Sequence, residues 1–391
     1  MKHLFLIVLS CLMLHTSFAQ HVSGFVEDEA IDMALICNSY SAWEVYGTDK
    51  DYIPEQYHKI FSSKSLGMDN AFQVYADNTN KKGVIHFRGS TAKKSSWMEN
   101  FYATLIPGKE TIKIEGKKFD YNASQAKGAY IHAGYTLAFY YMEEAILEQI
   151  ESLNKRGIYT IYITGHSQGG ALAQMCMALL DNMPNREVKD KNQFKVYAFA
   201  NPMIGNQAFA NDYNKRFCET GLSYLIHNPK DVVTKMPIAY NDTTFFKSMV
   251  DELSNNPEFS AQAMLYQGAF AMMKNQISSM ANNMFTKVEQ QIFAELGKVE
   301  LPTDRQTKVQ YCHTGNRTLI DPADYSGIKM PESKGKLPKE IDDSAIGLLI
   351  KNMMKNVEGQ HKVYNYYTGL LKKFRPLAYQ NLKEKVFIPK S

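Results

Sequence analysis

Apolar and polar positions divide the chain into alternating strand-like and helix-like segments. Residues 25–46 place Phe25, Ala30, Ile31, Ala34, Leu35, Tyr40 and Trp43 at three- and four-residue steps, which predicts an amphipathic helix. Residues 47–70 are polar and turn-rich. Runs at 71–76 and 84–87 are rich in β-branched and aromatic residues and predict two strands, joined by a turn from Asp77 to Gly83. A long helical period over 126–155 stops at Arg156-Gly157, with Gly157 suited to the C-cap. Residues 160–164 read as a buried strand that runs into an Ala/Leu/Met-rich helix. Further strands are predicted at 194–199 and 223–227, a helix at 206–217, and a strand and turn at 309–315. Strands that alternate with helices in this way predict an α/β fold with a mostly parallel central sheet flanked by helices.

The second half changes character. Within 238–300, Asn256-Pro257 suits an N-cap followed by the first helical position. Met264, Leu265, Met272, Met273, Ile277, Met280, Met284, Val288, Ile292 and Leu296 then recur at helical steps until Gly297. This predicts a helical insertion, as one long helix or a pair broken near Gly268. Its apolar stripe must pack on the domain, as a cap, or face lipid. Residues 321–343 are a Pro/Lys/Asp-rich loop, and 346–357 a short helix.

Residues 1–19 read as a signal peptide: Lys2, an apolar run from Leu4 to Leu14, and small residues around Ser17-Phe18-Ala19. Cleavage after Ala19 and export are expected, to the periplasm, the cell surface or the medium, with the domain over 20–391. A lipoprotein reading would use Cys11 instead. No later run is long and apolar enough to span a bilayer. Lys and Arg total 44 against 40 Asp and Glu, without a basic block, so nucleic acid is not an expected partner. After cleavage the chain keeps Cys37, Cys176, Cys218 and Cys312, at spacings that suit no metal; bridges and free thiols both remain open.

The chemistry centres on Gly165-His166-Ser167-Gln168-Gly169, placed between a strand and a helix. G-x-S-x-G in that context is a nucleophile elbow, whose sharp turn lifts the Ser167 hydroxyl above the sheet. The backbone N–H of Gln168 opens the helix, where free N–H groups and the helix dipole favour an oxyanion. A second strand ends at Phe87-Arg88-Gly89-Ser90, making Ser90 the candidate for the other half of an oxyanion hole. Asp231, just after the 223–227 strand, is the candidate acid, because the triad of this fold runs Ser, acid, His. After it, His313 and His361 are the available bases.

Several ordered motifs resemble the class 3 lipases, the fungal-type triacylglycerol lipase family. They are F-R-G-S with Trp97-Met98-Glu99-Asn100-Phe101, then Ile131-His132-Ala133-Gly134-Tyr135, G-H-S-Q-G-G-A-L-A, and Asn201-Pro202-Met203-Ile204-Gly205-Asn206 with Phe209-Ala210. The likeness runs from about 71 to 237 and resumes near 309. It implies an α/β-hydrolase fold and hydrolysis of acylglycerols or related lipid esters, with lipid as partner and transient contact with a lipid surface. No metal or organic cofactor is implied. Asp231 lies in a stretch similar to the family's acid loop. Gly359-Gln360-His361-Lys362-Val363-Tyr364 is similar to its H-x-x-Y, which favours His361 over His313 as the base. His86, His132, His166 and His227 precede the acid and are expected to be structural. Residues 91–96 are short and polar where family members carry an apolar lid, and the helical insertion is a candidate replacement. Alternatives are a phospholipase or a short-chain or polysaccharide carboxylesterase using the same residues, or a catalytically silent binding protein.

Overall fold

The computed structural model describes residues 23–46, 49–91, 93–184, 187–237, 289–290, 292–306, 311–326 and 359–387. The expected signal peptide, nearly all of the Met-rich stripe of the insertion and the expected 346–357 helix lie outside the described residues.

A seven-stranded sheet organises the described chain: β1 (His58–Ser62), β2 (Phe72–Asp77), β3 (Lys82–Phe87), β4 (Thr160–His166), β5 (Gln193–Phe199), β6 (Ser223–His227) and β7 (Asn316–Leu319). The strands lie in sequence order. β1, β2 and β3 are antiparallel, and β3 through β7 are parallel. The strands β2 to β6 are buried almost throughout, as expected of strands covered on both faces.

Among the described residues, two long helices pack on each face. On one side are α3 (Ala133–Lys155) and α4 (Gln168–Asp181), which pack Leu137, Met142, Ala171 and Leu172 against Val74, Ile85, Ile163 and Val196. On the other are α1 (Glu27–Tyr46) and α5 (Val363–Phe374), which pack Met33, Ala34, Tyr366 and Leu370 against Tyr75, Val84, Tyr162 and Ile226. Alternate residues of β2, β3 and β5 therefore serve opposite cores, the period-2 consequence of the pleat. Fully burying one such apolar side chain contributes about 1.5–3 kcal/mol. This mixed, mostly parallel sheet between helical layers is the α/β-hydrolase fold.

An ion pair ties α1 to the sheet. Lys195, inside β5, is nearly completely buried and meets Glu29 at 2.8 Å. Tyr162 and Tyr197 also donate to the Glu29 carboxylate, at 2.5 and 2.9 Å. Burial alone would raise the Glu29 carboxyl, but Lys195 and the two phenols outweigh it and hold it below its ordinary range.

One expectation on the α3 side needs correction. The helical period over 126–155 becomes a helix only at Ala133; residues 130–132 form a short strand paired with 105–107. His132 caps α3, its Nδ1 accepting from the Tyr135 N–H at 3.3 Å, so the chain is extended before the cap. The antiparallel strands Lys109–Ile114 and Lys117–Asn122 have exposed, charged outer positions and gave no strong apolar signal. At the end of the insertion, Ile292 is buried in the main core and Val299 pairs with Ile114. The four described cysteines are all unpaired, with Cys37 and Cys176 buried.

Candidate active site

The elbow between β4 and α4 is strained. Ser167 sits at φ 59°, ψ −130°, in the left-handed half of backbone space where L-residues are rare. Such conformations cost about 1–3 kcal/mol and persist where their surroundings enforce them. Here the Ser167 N–H donates to Phe199 O at 2.9 Å, and Ser167 O accepts from the Gly170 N–H at 2.9 Å. The flanking glycines are required by close approach. A Cβ on Gly165 would meet Gly169 O at 2.2 Å, and one on Gly169 would meet Phe87 O at 2.2 Å.

Three sequence-predicted residues converge above this turn. His361 Nε2 lies 2.8 Å from Ser167 Oγ, and its Nδ1 lies 2.7 Å from Asp231 Oδ2. Asp231 comes from the loop after β6 and is almost fully buried, whereas His361 is partly open. The Asp231 carboxylate is further satisfied by the Val233 N–H at 2.9 Å and the Tyr366 hydroxyl at 2.7 Å. Gln360 fixes the loop before α5, because Asn228 donates to its Oε1 at 2.8 Å and its Nε2 donates to Ala323 O at 2.9 Å.

Tyr366 was not singled out by the sequence. The tyrosine of the H-x-x-Y stretch, Tyr364, donates instead to Glu384 O. The available signal was the helix period: Val363, Tyr366 and Leu370 form the buried stripe of α5, and Tyr366 is its polar-tipped member. His313 is not part of the convergence. It lies beside His227, with ring centroids 6.0 Å apart, and burial, with Arg317 and His227 adding, lowers it to about 4. The His166 ring lies against His361, with centroids 4.6 Å apart and the planes tilted by 41°. Burial above all, then the neighbouring His361, keeps His166 well below the ordinary histidine range, so it adds no second positive charge there.

Ser90 lies in the loop three residues past the end of β3 and is held beside the elbow, since a Cβ on its neighbour Gly89 would meet Ser167 Cβ at 3.7 Å. Asn100 Nδ2 donates to Ser90 Oγ at 2.8 Å, and Ser90 Oγ donates to Gln168 Oε1 at 3.0 Å. Gln168 is the first residue of α4, so its N–H has no helical carbonyl to serve. The two sequence-predicted oxyanion candidates thus touch each other beside the elbow. Behind them sits Glu99, fully buried on the short helix α2 (Lys94–Phe101), whose carboxyl accepts from Gln168 Nε2 and Asn70 Nδ2, each at 2.6 Å. The motif containing Glu99 was visible, but this role was not. Among the described residues no cluster of His, Cys, Asp and Glu could hold a metal ion.

The family model described as Lipase (class 3) matches residues 84–241, from within β3 to just past the Asp231 loop. Residues 84–241 are therefore similar to class 3 lipases. Relatives include a secreted mono- and diacylglycerol lipase of Malassezia restricta, 30% identical over 180 residues that cover 46% of this chain and 49% of that protein. Lipase ZK262.3 of Caenorhabditis elegans is 23% identical over 248 residues, 62% of this chain and 64% of that one. A lipase of Rhizomucor miehei is 25% identical over 211 residues, 52% of each chain. The chain thus spans about half to two thirds of the length of these relatives. Among solved structures, the lipase from Rhizopus microsporus var. chinensis superposes with a TM-score of 0.41 at 22% identity, over 55% of this chain and 71% of that one. The class 3 segment contributes Ser90, Ser167, Gln168 and Asp231; His361 comes from outside it. No helix among the described residues is long and apolar enough to cross a membrane.

Proposed function

We propose that this chain, whose residues 84–241 match the class 3 lipase model, hydrolyses carboxylic esters of acylglycerols or related lipids through an acyl-enzyme on Ser167. The observation that carries the reading is the Asp231–His361–Ser167 hydrogen-bond relay, with links of 2.7 and 2.8 Å. His361 takes the Ser167 proton on Nε2 as Oγ attacks the ester carbonyl. It then gives that proton to the departing alcohol, and water repeats the cycle to release the acid. Asp231, through Nδ1, holds the ring in the required tautomer and stabilises the imidazolium. The Gln168 N–H and Ser90 serve the oxyanion, where one donor is worth about 3–4 kcal/mol in the transition state.

Mono- and diacylglycerol lipases among the relatives support acylglycerols as the substrate class. Their names also include "secreted", which supports export by the N-terminal segment.

The test is hydrolysis of nitrophenyl esters from short to long acyl chains, followed by acylglycerol emulsions, with Ser167→Ala beside the wild type. Activity that rises toward long chains and is lost in the variant is expected. Activity confined to short chains would move the substrate to small or polysaccharide-linked esters, and Ser167-independent activity would defeat the mechanism.

A further inference from the structure

Among the described residues Glu99 has no counter-ion: its carboxyl meets two amides and no cation. The charged groups nearby are committed elsewhere: Arg88 and Lys93 pair with Asp69, at 3.2 and 2.7 Å. The titratable groups at the start of α3, His132 at its cap and Tyr135 in its first turn, are neutral at neutral pH. Burial lowers His132 to about 3, against a bond to Asn100 O, and raises Tyr135 well above its ordinary value. Tyr102, just past the end of α2, is raised by burial and by its bond to Glu289.

The Gln168 amide lies between Glu99 and Ser90, and its two ends are equal in shape. In the orientation observed, Nε2 donates to Glu99 Oε1 while Oε1 accepts from Ser90 Oγ and Ser96 Oγ, both at 3.0 Å. This arrangement suits a carboxylate, which only accepts. It also uses up the one hydrogen of the Ser90 hydroxyl, which is then not free for an oxyanion. A protonated Glu99 reverses the logic: its O–H requires an acceptor, and a half-turn of the Gln168 amide supplies Oε1. Nε2 then offers its two hydrogens to Ser90 Oγ and Ser96 Oγ. Ser90 Oγ already accepts from Asn100 Nδ2 at 2.8 Å. Asn100 cannot turn in the same way, because its Nδ2 also serves Ser96 O and its Oδ1 accepts from the Tyr135 hydroxyl. With both Ser90 lone pairs filled, its hydrogen can point only outward, toward a substrate oxygen.

We propose that Glu99 is a positioning residue of the oxyanion site: the proton on its carboxyl sets the face of the Gln168 amide, and through it the direction of the Ser90 hydroxyl hydrogen. The inference rests on the ester-hydrolysis reading for its catalytic consequence, and on geometry alone for the amide reversal. Burial, opposed by the Asn70 and Gln168 bonds, raises Glu99 to about 8, so the protonated form prevails at neutral pH and is lost in mild alkali.

The experiment is a pH profile of kcat and KM for the wild type, Glu99→Gln and Gln168→Met. Between pH 7 and 9.5 the wild-type kcat should fall about 30-fold, following the fraction of Glu99 still protonated, with KM steady because the donor acts in the transition state. Glu99→Gln holds a permanent donor toward Gln168 and should lose this alkaline limb. Gln168→Met severs the link and should lose it too, which covers failure of either variant to fold. A limb that persists in both folded variants, or a flat wild-type profile, overturns the proposal. The Gln168 side-chain amide resonances, read by NMR without turnover, should shift together with loss of the protonated Glu99 carboxyl band in the infrared. A band that titrates without moving those resonances also overturns it. Titrating resonances without any Ser167-dependent turnover would instead sink the ester-hydrolysis reading.

Discussion

Glu99→Gln should make the protein more stable, by an amount that grows with pH. In the unfolded chain Glu99 releases its proton near 4.5, whereas in the fold burial holds it to about 8. Between those values the unfolded state binds one proton fewer than the native state, so stability falls by about 1.4 kcal/mol per pH unit. Glu99 thus contributes its full stability below pH 4.5 and loses it as the pH rises through the native value. The whole window amounts to roughly 5 kcal/mol. Glutamine keeps an acceptor for Asn70 and offers a donor to Gln168, but does not titrate. Urea unfolding of both proteins at pH 5.5, 6.5 and 7.5 measures the slope directly. The stability difference between variant and wild type should grow by about 2.7 kcal/mol across that range, a midpoint change of at most about 0.9 M for an m-value of about 3 kcal/mol/M or more. A difference that stays constant with pH would refute the reasoning, because it would mean that Glu99 is ionised in the native protein.

Three further outcomes follow from the same geometry. Tyr366→Phe removes the phenol that donates to Asp231 at 2.7 Å, and should lower kcat about 10-fold with little change in KM. Glu29→Ala removes the carboxylate that the buried Lys195 ammonium meets at 2.8 Å and should cost about 3 kcal/mol, read by urea unfolding at neutral pH. Gly165→Ala forces a Cβ to within 2.2 Å of Gly169 O, so it should displace the elbow and lower activity even where circular dichroism reports a folded protein.

Much of the central architecture was legible because parallel strands are buried on both faces and read as continuous apolar runs. The elbow was legible for a different reason: Gly165 and Gly169 are required by close approaches that only a missing Cβ relieves, and they bracket Ser167 at a fixed spacing. The strands at 109–122 escaped because their outer positions carry lysines, glutamate and aspartate that mask the alternation. Residues 130–132 escaped because their apolar character continues smoothly into α3. At the candidate site, Ser167, Asp231 and His361 follow a chain order that the sequence carries. Tyr366, Glu99 and Asn70 do not, because their partners lie 135, 69 and 29 residues away along the chain and no local spacing links them. Asn100 stood inside a recognisable motif, yet its bond to Ser90 depends on the way α2 folds back over the end of β3.

Covalent labelling tests the central claim most directly. A fluorophosphonate reacts with a serine whose hydroxyl is activated by a histidine relay, and peptide mass spectrometry locates the adduct without assuming any substrate. The account predicts a single adduct on Ser167 that is lost on heat denaturation and strongly reduced in His361→Ala. A folded protein that stays unlabelled, or one labelled on another serine, would contradict it.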